Sequence, residues 1–251
     1  MTRRRLVVLA LAPTLLLGLV LGGFLIVDAR SQRAEVERAD AVAEQYQDRL
    51  GAYRRAVAQD LEAAGGTDPL TVSDVLDEHR DEIPELDAVP ERAALASSGY
   101  ETARRTEAAV AESRRVLTDV IEATAQAPEF VAAAERALAL QPNELAPQGA
   151  VPDGGPLRAS LLPPLRAALA TFEQAPVPEG AEPAATAVRA ALQHVIDEAE
   201  RLAAELDAGR SGSFGWQSEY QAAADAVQAY DDGVRADLRE ALDGLLASDA
   251  T

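Results

Sequence analysis

The sequence predicts an all-α protein: a single N-terminal transmembrane helix followed by an antiparallel extracytoplasmic bundle of about four helices. Three observations predict it. Residues 6–27 are apolar without one charge, and as a helix they cover a bilayer's hydrocarbon core, roughly 30 Å thick. Beyond them, apolar residues recur at steps of three and four in several long segments, which keeps one face of each helix apolar. Clusters of Gly and Pro part these segments, and no stretch alternates apolar and polar residues as a half-buried strand would. The expected organisation is a cytoplasmic leader, residues 1–5, an anchor, residues 6–27, and an acidic helical-bundle domain, residues 28–251.

Arg3, Arg4 and Arg5 abut the apolar run, and a short basic leader is retained in the cytoplasm, leaving the long C-terminal part outside. Arg30, Arg33 and Arg38 match them in number on the far side, so the compactness of the leader decides the orientation. Secretion after signal-peptide cleavage is the alternative, because Val27 and Ala29 stand where a signal peptidase reads small residues. A secretory apolar region has only about 7 to 15 residues, however, and this one is long enough to stay in the membrane. Gly18 and Gly22 form a G-x-x-x-G pair, with Thr14 one turn earlier, a small-residue face that a second helix can approach. Pro13 predicts a local kink in the first half of the span.

The first helix is expected to leave the membrane unbroken, since neither Gly nor Pro interrupts residues 24–50. Val36, Ala39, Ala43, Tyr46, Leu50, Tyr53 and Val57 step by 3, 4, 3, 4, 3 and 4, a heptad spacing suited to packing against other helices. Continued backward, this register passes through Gln32, Ala29, Leu25, Gly22 and Gly18. Gly18, Gly22, Val36, Ala43, Leu50 and Val57 are therefore the candidate helix–helix interface. Gly65, Gly66 and the Asp68-Pro69 step end the helix near Ala64. A shorter helix follows over about residues 71–82, whose charged run from Asp77 to Glu82 reads as a solvated face, lacking the glycine-turned spacing of a calcium loop.

Pro90 with Glu91 predicts the start of a second long helix running to Gln126. Its stripe is Ala103, Thr106, Val110, Ser113, Leu117, Val120 and Thr124, small and partly polar. Pro128 predicts an offset before residues 130–140. Residues 141–157 hold four prolines and three glycines, a composition expected to form the longest loop. Residues 158–174 are helical in pattern, with the helix proper starting at Pro164. After another proline-rich connector, Val188, Leu192, Val195, Ala199, Leu202 and Leu206 make the clearest stripe, and Gly209 stands just beyond as a stop. The last helix is expected over residues 216–248, with Tyr220, Val227, Val234, Leu238 and Leu245 along one side. The short connector before it implies antiparallel neighbours, and Phe214 and Trp216 plug the bundle end.

The net charge of −19 disfavours nucleic acid and anionic lipid as partners. No cysteine is present, which excludes disulfides, thiol nucleophiles and thiolate zinc sites. The basic residues are all arginine and alanine is abundant, the base composition of a high-GC bacterial genome. Aromatics at 4% leave little from which to build a stacking platform. No nucleophile elbow, phosphate loop, dinucleotide turn or H-E-x-x-H occurs. His194 and Glu198 share a helix face, but a di-metal bundle needs Glu-x-x-His pairs from two helices, so no metal and no cofactor are expected.

The expected function follows by subtraction. A tether, many helix faces and no reaction motif fit a non-enzymatic cell-envelope protein that presents its bundle to another membrane or envelope protein, or to a second copy. An extracytoplasmic ligand-binding or sensory bundle is the alternative, with Thr106, Ser113 and Thr124 as its polar lining. The layout is similar to a chemoreceptor-type receptor only in its first membrane helix and bundle, so a sensor of this kind would signal through another protein. An envelope hydrolase is the second alternative, and requires a carboxylate of raised pKa in a cleft.

Overall fold

In a computed structural model, residues 3–65, 68–145, 153–213 and 215–247 are described, with side chains from Ser31 onward. Every regular element among them is helical. The chain divides into two compact units: Met1–Gln59, Glu78–Glu112 and Leu246–Thr251 form the first, and Asp60–Asp77 with Ser113–Leu245 the second.

The first unit is built on α1 (Arg3–Ala64). Ala39, Ala43, Tyr46, Leu50, Tyr53 and Val57 are all buried, so the 3,4 stripe of this helix is the apolar face that the spacing predicts. Gly65 ends α1 at φ 68°, a left-handed conformation that glycine adopts without a Cβ penalty. The expected anchor, residues 6–27, lies outside the residues with described side chains. Among the described residues, no helix is long and apolar enough to cross a membrane.

α2 (Pro69–Glu78) opens on Asp68, whose Oδ1 accepts from the backbone N–H of Leu70 at 3.2 Å and of Thr71 at 3.0 Å. The Thr71 hydroxyl donates to the other carboxylate oxygen, and this bond leads the causes that lower the Asp68 carboxyl pKa. α2 stops at Glu78, short of the expected Glu82, where a single 3-10 turn, Arg80–Glu82, takes over.

Residues 83–90 then run without regular structure, with Pro84 and Pro90 at their ends, back along α1 in the opposite direction: His79 lies by Tyr53, Asp87 by Arg49, and Ser97 by Asp40. This return segment corrects two expectations. The helix expected from Pro90 to Gln126 is broken at Ser97 into α3 (Glu91–Ala96) and α4 (Ser98–Thr124), because the Ser97 hydroxyl accepts the Tyr100 N–H at 2.9 Å and caps a new helix. α4 also runs parallel to α1, since Asp40 pairs with Ser97 and Gln47 with Thr106. The antiparallel expectation fails here because the chain has already travelled back before α4 begins.

In the second unit, α4 gives way at Thr124 to α5 (Ala127–Leu138), with Pro128 in its first turn, where its missing N–H is harmless. Residues 141–157, expected as one loop, contain α6 (Pro142–Leu145) and the start of α7 (Gly155–Ser160). Both place their prolines at helix starts, which tolerate them. α8 (Leu162–Phe172) starts two residues before the expected Pro164. α9 (Glu182–Asp207) closes in a Schellman arrangement: Arg210 N–H reaches Glu205 O, Gly209 N–H reaches Leu206 O, and Gly209 sits at φ 70°. α10 (Gln217–Leu246) is antiparallel to α9, with His194 facing Glu219 and Arg201 reaching the Ser213 carbonyl.

The core of this unit gathers Phe130, Leu165, Phe172, Val188, Leu192, Val195, Tyr220 and Val227 from α5, α8, α9 and α10. Phe130 packs on Phe172 at 5.9 Å and meets the Tyr230 ring edge-on at 5.6 Å, the tilted geometries that aromatic quadrupoles favour.

Candidate functional site

Three of the six candidate interface positions on α1 are covered within the chain. Ala43, Leu50 and Val57 lie in the core of the first unit, Leu50 at 1% exposure. Gly18 and Gly22 lie outside the residues with described side chains. Val36 is half-buried at the open end of the stripe, where it lines a groove of about 630 Å³ with Gln32, Arg33 and Glu37 of α1 and Arg92, Ala93 and Ala96 of α3. One face of α1 therefore does two things. From Ala39 onward it is core, and at Val36 it lines the groove.

The return segment is strapped from both helices. Arg49 donates to the Glu85 carbonyl at 3.0 Å and to Asp87 at 3.2 Å. From α4, Glu107 accepts the Leu86 N–H at 2.8 Å and the Tyr100 hydroxyl donates to the Asp87 carbonyl at 3.1 Å. These groups have no local sequence pattern, since each bond joins residues far apart in the chain.

Five groups of the charged run 77–82 are exposed, but His79 is 7% exposed. Its Nδ1 lies 2.7 Å from Glu82 and its ring stands edge-on to Tyr53 at 6.5 Å. The run is thus a solvated face with one histidine turned inward. His194 is half-buried with Nε2 3.9 Å from Glu219, while Glu198 is held by Arg201 through two hydrogen bonds, which lead the causes that lower its pKa. Among the described residues no cluster of His, Cys, Asp or Glu can hold a metal ion.

Thr106 is buried 3.5 Å from the Gln47 amide, Thr124 donates to the Val120 carbonyl one turn back at 2.6 Å, and Ser113 is only half-buried. The carboxyl shifts resolved at Asp68, Glu101, Glu198, Asp207 and Glu219 are all downward, led by hydrogen bonds from Thr71, Arg105, Arg201, Arg158 and Ser218 respectively. A general acid needs the opposite shift.

The end of the 141–157 stretch is pinned to α9. Asp207 accepts the Gly154 N–H at 2.8 Å and the Arg158 guanidinium at 2.7 Å, and a Cβ on Gly154 would lie 2.3 Å from the Ala203 carbonyl oxygen. Trp216 is half-buried against the core, edge-on to Tyr220 at 5.1 Å, as an end plug would be. Phe214 lies outside the described residues. The Tyr220 hydroxyl is buried with no hydrogen-bond partner, and burial pushes its pKa up to about 12.

No known protein family, curated protein or solved structure matches this chain. Its function is therefore read from these groups and from the sequence.

Proposed function

We propose that the chain is a membrane-anchored, non-enzymatic cell-envelope protein, N-terminus in the cytoplasm, whose extracytoplasmic helical bundle docks another membrane or envelope protein or a second copy of itself. The observation that carries this reading is the uncharged stretch 6–27 behind Arg3, Arg4 and Arg5, on the same helix that continues as α1 to Ala64. A helix of this kind carries its far end on a stalk fixed in the bilayer. Supporting it, the resolved carboxyl shifts run away from general-acid chemistry, and the His79 ring is held by the Glu82 carboxylate.

Crosslinking of the full-length protein in its native membrane, followed by mass spectrometry, tests the reading. A single membrane or envelope protein recovered in stoichiometric amount, or the chain itself crosslinked near Gly18, Gly22 and Val36, is the expected result. Crosslinks confined to one chain at all expression levels overturn it. The ligand-binding reading is favoured by one observation, the orphaned Tyr220 hydroxyl, and predicts a polar small molecule whose addition raises the melting temperature.

A further inference from the structure

We propose that the groove between α5 and α8 docks a second copy of the chain, the two α5 helices meeting antiparallel with Glu129 of each copy on Arg136 of the other. The inference deepens the self-association half of the reading above, and it uses the second unit alone, without the anchor. The groove encloses about 490 Å³ between α5 and α8, and Glu129 and Arg136 are the two charged side chains among the residues that line it. Both are exposed, and no ion pair among the described residues engages either. Arg136 spends its Nε–H on the Ala132 carbonyl at 3.0 Å, which fixes the stem of the guanidinium and leaves its terminal nitrogens for a carboxylate.

Symmetry decides what such a face fits. Seven residues apart on one helix, Glu129 and Arg136 stand roughly 10.5 Å apart along the axis and within about 20° of the same side. A twofold axis crossing α5 midway between them, at Ala132 and Ala133, brings each carboxylate to the other copy's guanidinium and closes both ion pairs at once. Alanine at the crossing lets the two helices approach to about 8 Å, the near end of the usual spacing. The remaining acid of α5, Glu135, lines the groove toward α10 instead and leaves this face balanced. That balance matters because the chain carries a net charge of −19, so most of its surface repels a second copy. A face with one charge of each sign, each placed to find its opposite on an identical face, is free of that repulsion. α5 has 12 residues, roughly 18 Å of helix. With one groove wall it covers less than the roughly 800 Å² per partner of a stable interface, so the pair forms and parts reversibly and is read by trapping.

The chain contains no cysteine, so Ala133→Cys places a single thiol beside the twofold axis, and Ala236→Cys, exposed on α10, reports random collision. The purified full chain is oxidised in detergent micelles and the disulfide-linked dimer is measured. The expected result is far more dimer at position 133 than at position 236. On the Ala133→Cys background, Glu129→Arg and Arg136→Glu are each expected to lower the yield by about tenfold, and the chain carrying both exchanges recovers it. Mixing the two singly exchanged chains is expected to restore crosslinking as a heterodimer, because both of its ion pairs are again opposite in sign, which misfolded variants would not do. Crosslinking at position 133 no better than at 236, a yield indifferent to the exchanges, or a mixture that does not recover overturns the pairing. A chain that crosslinks to itself only near Gly18, Gly22 and Val36, or only to a different protein, overturns it and leaves the reading above in place.

Discussion

The Ser97 hydroxyl donates to Asp40 Oδ1 at 2.5 Å and at the same time accepts the Tyr100 N–H at 2.9 Å. One oxygen thus ends the return segment, starts α4 and ties it to α1. The carboxylate of Asp40 lies at the N-terminal, positive end of α4, where a negative charge is favoured.

Ser97→Ala removes both bonds and is expected to lower unfolding stability by about 1 to 2 kcal/mol, the range for a lost N-cap. Ser97→Thr keeps the hydroxyl and recovers part of it. Gly99→Ala reaches the same contact from the other side, because a Cβ there would lie 2.9 Å from Asp40 Oδ1. The carboxylate is the end of a flexible side chain and can swing away, so the loss is smaller than for Ser97→Ala. Chemical denaturation of the three variants in detergent micelles, monitored by circular dichroism, orders them.

Leu50→Ala separates a core stripe from an interface stripe. With Leu50 at 1% exposure inside the first unit, the truncation leaves a cavity and is expected to cost about 2 to 5 kcal/mol. That loss is expected to be the same at every protein concentration, because the stripe packs within one chain. An interface role for Leu50 would instead make the melting temperature of the wild type rise with concentration, which thermal melts over a hundredfold dilution series would reveal.

Gly154→Ala places a methyl group 2.3 Å from the Ala203 carbonyl oxygen, and backbone on both sides leaves no flexible group to yield. A loss of about 3 kcal/mol or more is expected. Asp207→Asn is milder, removing the charge from an exposed pair with Arg158, a kind of interaction worth little in solvent. The Asp207 carboxyl is held below its ordinary value by Arg158 and then by the Gly154 N–H. Its contribution is therefore present above the unfolded carboxylate pKa and is lost as pH falls through the lower, folded value. Hydrogen exchange at residues 153–160 is expected to speed up in Gly154→Ala at neutral pH and in the wild type on acidification.

The helices were legible because each carries its own register. The stripes of α1, α9 and α10 could be read from spacing alone, and Ala39 to Val57, Val188 to Leu202 and Tyr220 to Leu245 point inward as read. What spacing does not carry is where a helix goes next. The parallel run of α1 and α4 depends on Arg49, Glu107 and Tyr100 gripping residues 85–87, bonds between residues remote in sequence that no local pattern announces. His79 illustrates the same limit: its neighbours are charged and exposed, while its own ring is buried edge-on to Tyr53, a residue remote in sequence. Of the candidate interface, the 3,4 spacing identified a packing face but could not say whether its partner was another chain or α4 of the same one, since both satisfy the same register.

Among the described residues two buried side-chain polar atoms, Arg49 Nε and the Tyr220 hydroxyl, have no hydrogen-bond partner, and Tyr220→Phe tests the second. Tyr220 is 6% exposed, and its hydroxyl has no partner among the described groups. Burying a hydroxyl without a hydrogen bond is costly, so its removal is expected to leave stability unchanged or raise it by about 1 kcal/mol. The ring contact with Trp216 is retained, because Phe presents the same edge and face. The pH profile adds a second readout with a definite sign. The folded phenol has its pKa raised to about 12 from 10, so the unfolded chain loses this proton first as pH rises. The stabilisation is fully present below pH 10 and is lost between pH 10 and about 12, as expected for a group that binds its proton more tightly when folded. Wild-type melting temperature should therefore fall across that window, and less steeply in Tyr220→Phe. If the substitution instead destabilises the protein at neutral pH by about 1 to 3 kcal/mol, the hydroxyl has a partner in solution, and a bound water or polar ligand becomes the explanation. That outcome would move the ligand-binding reading ahead of the docking one, because a second chain packed on the surface has no access to a buried oxygen.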